Sequence, residues 1–194
     1  MASMVCRISS ITERLSLDDL FASRQPLEVE LGSGDGSFLA QYAALHPQHN
    51  FIGVERLLGR LRKLDRKAQR AGLKNLRLIR LEASYALEYL LPQGSIRALH
   101  VYFPDPWPKR RHHKNRLINK HFTEVAYRAL ESGGVIYLRT DDCDYFGQIV
   151  EVFGETKEYR AVETPAQLSE IKTDFECEFH KRGIATRLAA YQRD

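Results

Sequence analysis

The sequence predicts a single α/β domain, a mostly parallel sheet with helices on both faces, and three observations predict it. Short apolar runs alternate along the chain with amphipathic stretches of helical period. The first run, Leu27-Glu-Val-Glu-Leu31, passes straight into a glycine-rich turn, Gly32-Ser-Gly-Asp-Gly36, and then into a helical stretch. Strand, glycine turn and helix open a Rossmann-like unit. Finally, the acids Glu30, Glu55, Glu82 and Asp105 end or follow successive strands. They should converge on the rim where open α/β sheets bind ligands. At 194 residues the chain suits one domain with a full core.

The elements follow in order. Residues 1–26 mix Ser, Thr and charge and read as a loosely ordered arm with a short helix near Leu17 to Phe21; residues 27–194 form the domain. Ser37 to Leu45 carries Phe38, Leu39, Tyr42, Ala43 and Leu45 at helical spacing. The second strand, Asn50 to Glu55, ends in an acid about 20 residues after the glycine turn, where a carboxylate can take ribose hydroxyls. Leu57 to Ala71 is a basic amphipathic helix, Asn75 to Leu81 a strand, and Tyr85 to Leu91 a helix closed by Pro92 and Gly94. Ile96 to Phe103 is a strand that delivers Asp105. A helix from Asn119 to Leu130, a Gly133-Gly134 turn and a strand from Val135 to Arg139 come next. Asp142 then caps a helix from Tyr145 to Phe153. Tyr159 to Val162 is a strand, Leu168 to Arg182 includes a helix, and Ala185 to Tyr191 makes a seventh, antiparallel strand.

Gly32, Gly34 and Gly36 follow G-x-G-x-G, and the third glycine of the dinucleotide pattern would fall at Ser37. Such spacing lets a ligand lie against the backbone. Without a helix start tuned for pyrophosphate, it favours an uncharged nucleoside with an amino-acid tail over a nicotinamide dinucleotide.

The chemistry concentrates in Val101 to Arg116, V-Y-F-P-D-P-W-P-K-R-R-H-H-K-N-R. Pro104 and Pro106 fix φ and remove two backbone donors, so Asp105 and Trp107 sit on a stiff loop. The net charge of +4 understates the asymmetry. Arg56 to Arg80 holds ten Lys or Arg against one acid, and Lys109 to Arg116 holds five with two His and no acid. Two basic runs flanking one candidate site favour a polyanionic partner. Lys109, Arg110, Arg111, Lys114 and Arg116 are the expected phosphate contacts. Trp107 either stacks on a displaced base or packs as a hinge. His112 and His113 belong to the cationic surface and are not read as metal ligands. Cys6, Cys143 and Cys177 lie far apart and suggest neither disulfide nor zinc site. With no apolar leader stretch, a cytoplasmic protein is expected.

Together these motifs resemble the tRNA (guanine-N7-)-methyltransferase family across roughly residues 27 to 187. V-E-L-G-S-G-D-G at Val29 to Gly36, F-I-G-V-E at Phe51 to Glu55, Y-F-P-D-P-W-P-K at Tyr102 to Lys109, and T-D-F-E at Thr173 to Glu176 carry the resemblance. It implies a Rossmann-like class I methyltransferase fold with a seven-stranded sheet. It implies S-adenosylmethionine as cofactor and tRNA as partner, with the variable-loop guanosine as target. The cofactor-contacting positions are then Glu30, Gly32, Gly34, Gly36, Glu55, Glu82, Ala83 and Asp105, and Asp105 is also catalytic. Lys109, Asp141, Thr173, Asp174, Phe175 and Glu176 match substrate-contacting positions, and no metal is implied. The enzyme is expected as a monomer or homodimer, with or without a partner subunit. Two other readings compete: another RNA or DNA base methyltransferase, and a non-catalytic RNA-binding protein on the same fold.

Overall fold

The computed structural model describes residues 3–194, so Met1 and Ala2 of the predicted arm lie outside the described residues. Seven strands form one sheet: β1 (Leu27–Leu31), β2 (Asn50–Val54), β3 (Leu76–Ile79), β4 (Ile96–Tyr102), β5 (Leu130–Thr140), β6 (Tyr159–Val162) and β7 (Arg187–Arg193). Their order is β3-β2-β1-β4-β5-β7-β6. β1 to β5 pair in parallel, and β7 pairs antiparallel with both β5 and β6. The chain walks outward from β1 to β3 and then returns to lay β4 on the other side of β1. Glu30 thus stands between Gly53 of β2 and His100 of β4. That reversal opens a crevice beyond the carboxyl ends of β1 and β4.

The helices are α1 (Leu17–Leu20), α2 (Leu39–Leu45), α3 (Leu58–Arg70), α4 (Ala83–Tyr85), α5 (Lys120–Ala129), α6 (Cys143–Gly154), α7 (Ala166–Glu170) and α8 (Asp174–Lys181). A π-helical turn, Ala86–Leu90, extends α4. One apolar layer joins Val29, Leu31 and Val101 to Phe122, Ala126, Ile149 and Phe153. The opposite layer joins Phe51, Leu76 and Leu78 to Phe38, Leu39, Leu61 and Leu64. Leu57, the first residue of the predicted basic helix, lies outside α3 as its extended N-cap residue and is exposed. β5 begins five residues earlier than Val135, at Leu130. Leu130 pairs with Ile96, and Gly133, at φ +76°, lets the strand bulge before Val135 pairs with Ala98.

The L-E-V-E-L alternation reads as a strand, and β1 is one, buried on both faces. Glu28 and Glu30, each 3% exposed, face a polar seam that runs across the sheet through His100, Tyr102, Tyr137 and Arg139. Glu28 is satisfied there by His49 at 2.6 Å and His100 at 2.7 Å. Burial raises the Glu28 pKa, but those two imidazoles outweigh it and hold the carboxyl below its ordinary range.

The N-terminal segment is docked, not loose. Val5 bridges to Leu78 on the edge strand β3, the Cys6 amide donates to the Leu78 carbonyl at 2.8 Å, and Arg14 donates to the Leu91 and Glu88 carbonyls. These anchors are mostly backbone groups, which side-chain composition does not announce. The segment covers a sheet edge that would otherwise offer free donors and acceptors. Among the described residues, no helix is long and apolar enough to cross a membrane.

Candidate active site

A cleft of about 370 Å³ opens beyond the carboxyl ends of β1 to β4, within the range of small-molecule sites. Gly32, Glu55, Glu82, Ala83, Asp105 and Trp107 line it, joined by Arg60, Asn115 and Leu117. Three of the four strand-end acids therefore meet there. The fourth, Glu30, lies behind the wall. Its Oε2 is buried without a hydrogen-bond partner among the described residues. Burial pushes its pKa up to about 8, with Arg139 opposing and the Glu55 and Asp35 carboxylates adding to the rise.

The glycine turn has φ of +77°, +56° and +79° at Gly32, Gly34 and Gly36, the left-handed region that side chains avoid. The two ends of the turn need glycine for different reasons. A Cβ at Gly36 would fall 2.1 Å from Cδ1 of Leu64, so α3 packs directly on the backbone there. A Cβ at Gly32 would meet nothing within 4 Å, at the cleft wall. Glu55 fastens this turn, accepting from the Gly34 amide at 3.0 Å and the Leu57 amide at 2.7 Å. Glu82 caps α4, accepting from the amides of Ser84 and Tyr85 and from the Ser84 hydroxyl. Burial raises the Glu82 pKa, but these donors outweigh it and hold the carboxyl below its ordinary range.

Asp105 stands exposed on the opposite wall. Phe103 and Trp107 on either side of it have φ of +51° and +46°. Each such residue costs roughly 1–3 kcal/mol and persists only where its surroundings fix it. Beyond the loop, Arg110–Asn115 form a 3-10 helix, and Lys109, Arg110, Arg111 and Lys114 are exposed. Arg116 is the exception. Expected to contact phosphate, it is 2% exposed and donates inward to the Pro106 carbonyl at 2.8 Å. Trp107 is half-buried with its ring against His112.

The T-D-F-E segment sits beside this cleft without lining it. Thr173 and Glu176 are buried and form a capping box on α8, and Glu176 pairs with Arg139 at 3.0 Å. Arg139 also donates to the Ile171 and Leu168 carbonyls and lies 4.1 Å over the Tyr102 ring. Asp174 and Phe175 point outward, the Asp174 amide donating to Ser37 Oγ at 3.1 Å and Phe175 lying under Arg60. Asp141 is half-buried after β5, away from the cleft lining, and its main-chain oxygen accepts from Arg187. Asp142 caps α6 as its position predicts. Sequence reasoning missed Arg60 and Arg139, and assigned Arg116 to the phosphate-facing surface when it is buried. A charge inside the apolar run of β5 was the one signal for Arg139.

A family model described as "Putative methyltransferase" matches residues 24–192. The tRNA (guanine-N(7)-)-methyltransferase of Alkalilimnicola ehrlichii is 33% identical over 170 residues, covering 88% of this chain and 72% of that protein. The chain belongs to the tRNA (guanine-N7-)-methyltransferase family. The same-named protein of Chromohalobacter salexigens is 40% identical over 152 residues, 78% of this chain and 62% of that protein. The chain thus spans about three-fifths of some of the family members it matches. Among solved structures, the 16S rRNA methyltransferase KamB aligns with a TM-score of 0.64 at 15% identity, over 91% of each chain. That likeness places this family member on the class I methyltransferase fold, as the sheet order requires.

Proposed function

We propose that this chain transfers the methyl group of S-adenosylmethionine to N7 of a guanosine in tRNA, in the variable loop, forming 7-methylguanosine. The observation that most supports it is Asp105, held on a constrained loop at the wall of the cleft and continuing directly into exposed cations. The cleft suits the cofactor. The bare wall at Gly32 leaves room for a ligand against the backbone, and Glu55 sits where ribose hydroxyls would be taken. Glu82 and Ala83 would hold the adenine end, with Gly34 and Gly36 shaping the turn and Glu30 contributing from behind it.

S-adenosylmethionine supplies a methyl group activated on a sulfonium. Guanine N7 carries a free lone pair at neutral pH, so no residue has to remove a proton from it. The site's work is orientation, bringing N7 in line with the methyl carbon. Asp105 then offsets the positive charge that develops on the purine. Lys109 and its exposed neighbours hold phosphates. Because Thr173 and Glu176 are turned inward, substrate contact from that segment would come through Asp174 and Phe175, with Asp141 nearby.

The test is methyl transfer from labelled S-adenosylmethionine to an unmodified tRNA transcript, beside one with the variable-loop guanosine replaced by adenosine. Incorporation only in the first supports the reading, and equal incorporation in both discards the assigned base. Absence of cofactor binding by calorimetry would favour a non-catalytic RNA-binding protein.

A further inference from the structure

We propose that Arg116 is a positioning residue that anchors the Asp105 loop, and that it makes no contact with RNA. The proposal rests on Asp105 working at the reacting base. Arg116 closes a run of exposed cations, yet its guanidinium is buried and committed on every side. Nε donates to the Pro106 carbonyl at 2.8 Å, Nη1 to Gln148 Oε1 at 2.9 Å, and Nη2 to Asp144 Oδ2 at 2.6 Å. The Tyr145 ring lies 4.8 Å beneath it. Gln148, Asp144 and Tyr145 all come from α6, which also grips the next residues: the Ile118 amide donates to the Tyr145 hydroxyl, and Gln148 donates to the Ile118 carbonyl.

The loop needs such an anchor. Pro104, Pro106 and Pro108 contribute no N–H, and the Phe103 amide, bonded to the Arg139 carbonyl, belongs to the end of the sheet ladder. The Pro106 carbonyl lies between Asp105 and Trp107, inside the stretch bounded by the two left-handed residues. A planar fork bonded at three points fixes that carbonyl in direction as well as distance, which an ammonium cannot do. Asp144 is 69% exposed, so its ion pair adds little. The geometry is set by Pro106, Gln148 and the Tyr145 ring.

Trp107 is the sole tryptophan of the chain, so its emission and its quenching by acrylamide read the loop directly. Arg116→Lys and Gln148→Ala are compared with wild type in the full chain. Arg116→Lys should shift Trp107 emission and lower kcat about a hundredfold, the scale of a 1 Å misplacement. The salt dependence of tRNA binding should stay at its wild-type value. Gln148→Ala should move emission and kcat the same way by less. Wild-type emission and kcat in Arg116→Lys would overturn the proposal. So would a salt slope reduced by about one unit, the signature of a lost phosphate contact. If Arg116→Lys does not fold, Gln148→Ala decides, and unchanged emission and kcat in that variant would overturn the proposal. If wild type transfers no methyl group, the proposed function fails, while Trp107 emission still decides the anchoring.

Discussion

The two walls of the cleft are held by opposite means. On the glycine side, the chain is bare and relaxed: three glycines take positive φ, and one carboxylate, Glu55, ties the turn to the start of α3. On the Asp105 side, bulky Phe103 and Trp107 take the same left-handed region, and a buried arginine reaches in from another element. A wall built from glycine yields room for a ligand. A wall held in an unfavourable conformation yields a fixed direction for one side chain. The difference suggests a division of labour, with cofactor binding on the first wall and orientation of chemistry on the second.

The sharpest way to break this comparison lies within the glycine turn itself. Gly36→Ala should cost roughly 2–5 kcal/mol in urea unfolding, because overpacking adds to left-handed strain where Leu64 stands 2.1 Å from the new Cβ. Gly32→Ala should cost only the strain, roughly 1–2 kcal/mol, yet lose S-adenosylmethionine affinity in calorimetry. Equal stabilities for the two would mean that α3 does not pack on the turn as described.

Glu30 gives a smaller, pH-dependent effect. Its folded pKa of about 8 lies above the ordinary 4.5, so the folded chain holds a proton that the unfolded chain releases between those values. This group's contribution is fully present below about 4.5 and is lost as pH rises through about 8. Glu30→Gln should remove that slope, so the variant gains on wild type as pH rises across the window. A constant difference between the two unfolding curves from pH 5 to 8.5 (about the window's span) would rule out the raised pKa.

The smallest effect tests the cationic surface beyond the second wall. Lys109→Ala or Arg110→Ala should each reduce the salt slope of tRNA binding by about one unit and leave Trp107 emission unchanged. Filter binding across salt concentrations reads the first and fluorescence the second. A flat slope in wild type would contradict phosphate contacts at this run.

Much of the first wall was legible in the sequence because its parts are local. G-x-G-x-G, the acid ending β2 and the apolar face of α3 lie on neighbouring elements, and strand–turn–helix periodicity places them. Asp105 was legible too, since prolines and a strand end announce it. Arg116 was not, because a cationic run reads as solvent-facing and its burial is set by Asp144 and Gln148, 28 and 32 residues away. The burial of Glu28 was not legible either, because its partners, His100 on β4 and His49 before β2, lie 72 and 21 residues away. Thr173 and Glu176 carried the T-x-x-E spacing of a capping box, which announces the cap but not the pairing of Glu176 with Arg139, 37 residues away.

The most direct test of the central claim is single-turnover methyl transfer by Asp105→Asn at saturating S-adenosylmethionine and tRNA. If Asp105 is held to offset charge on the purine, the rate should fall about 10²- to 10³-fold, as for loss of one preorganised electrostatic contact, with tRNA affinity unchanged. A rate equal to wild type would show that the constrained loop orients something other than the chemistry.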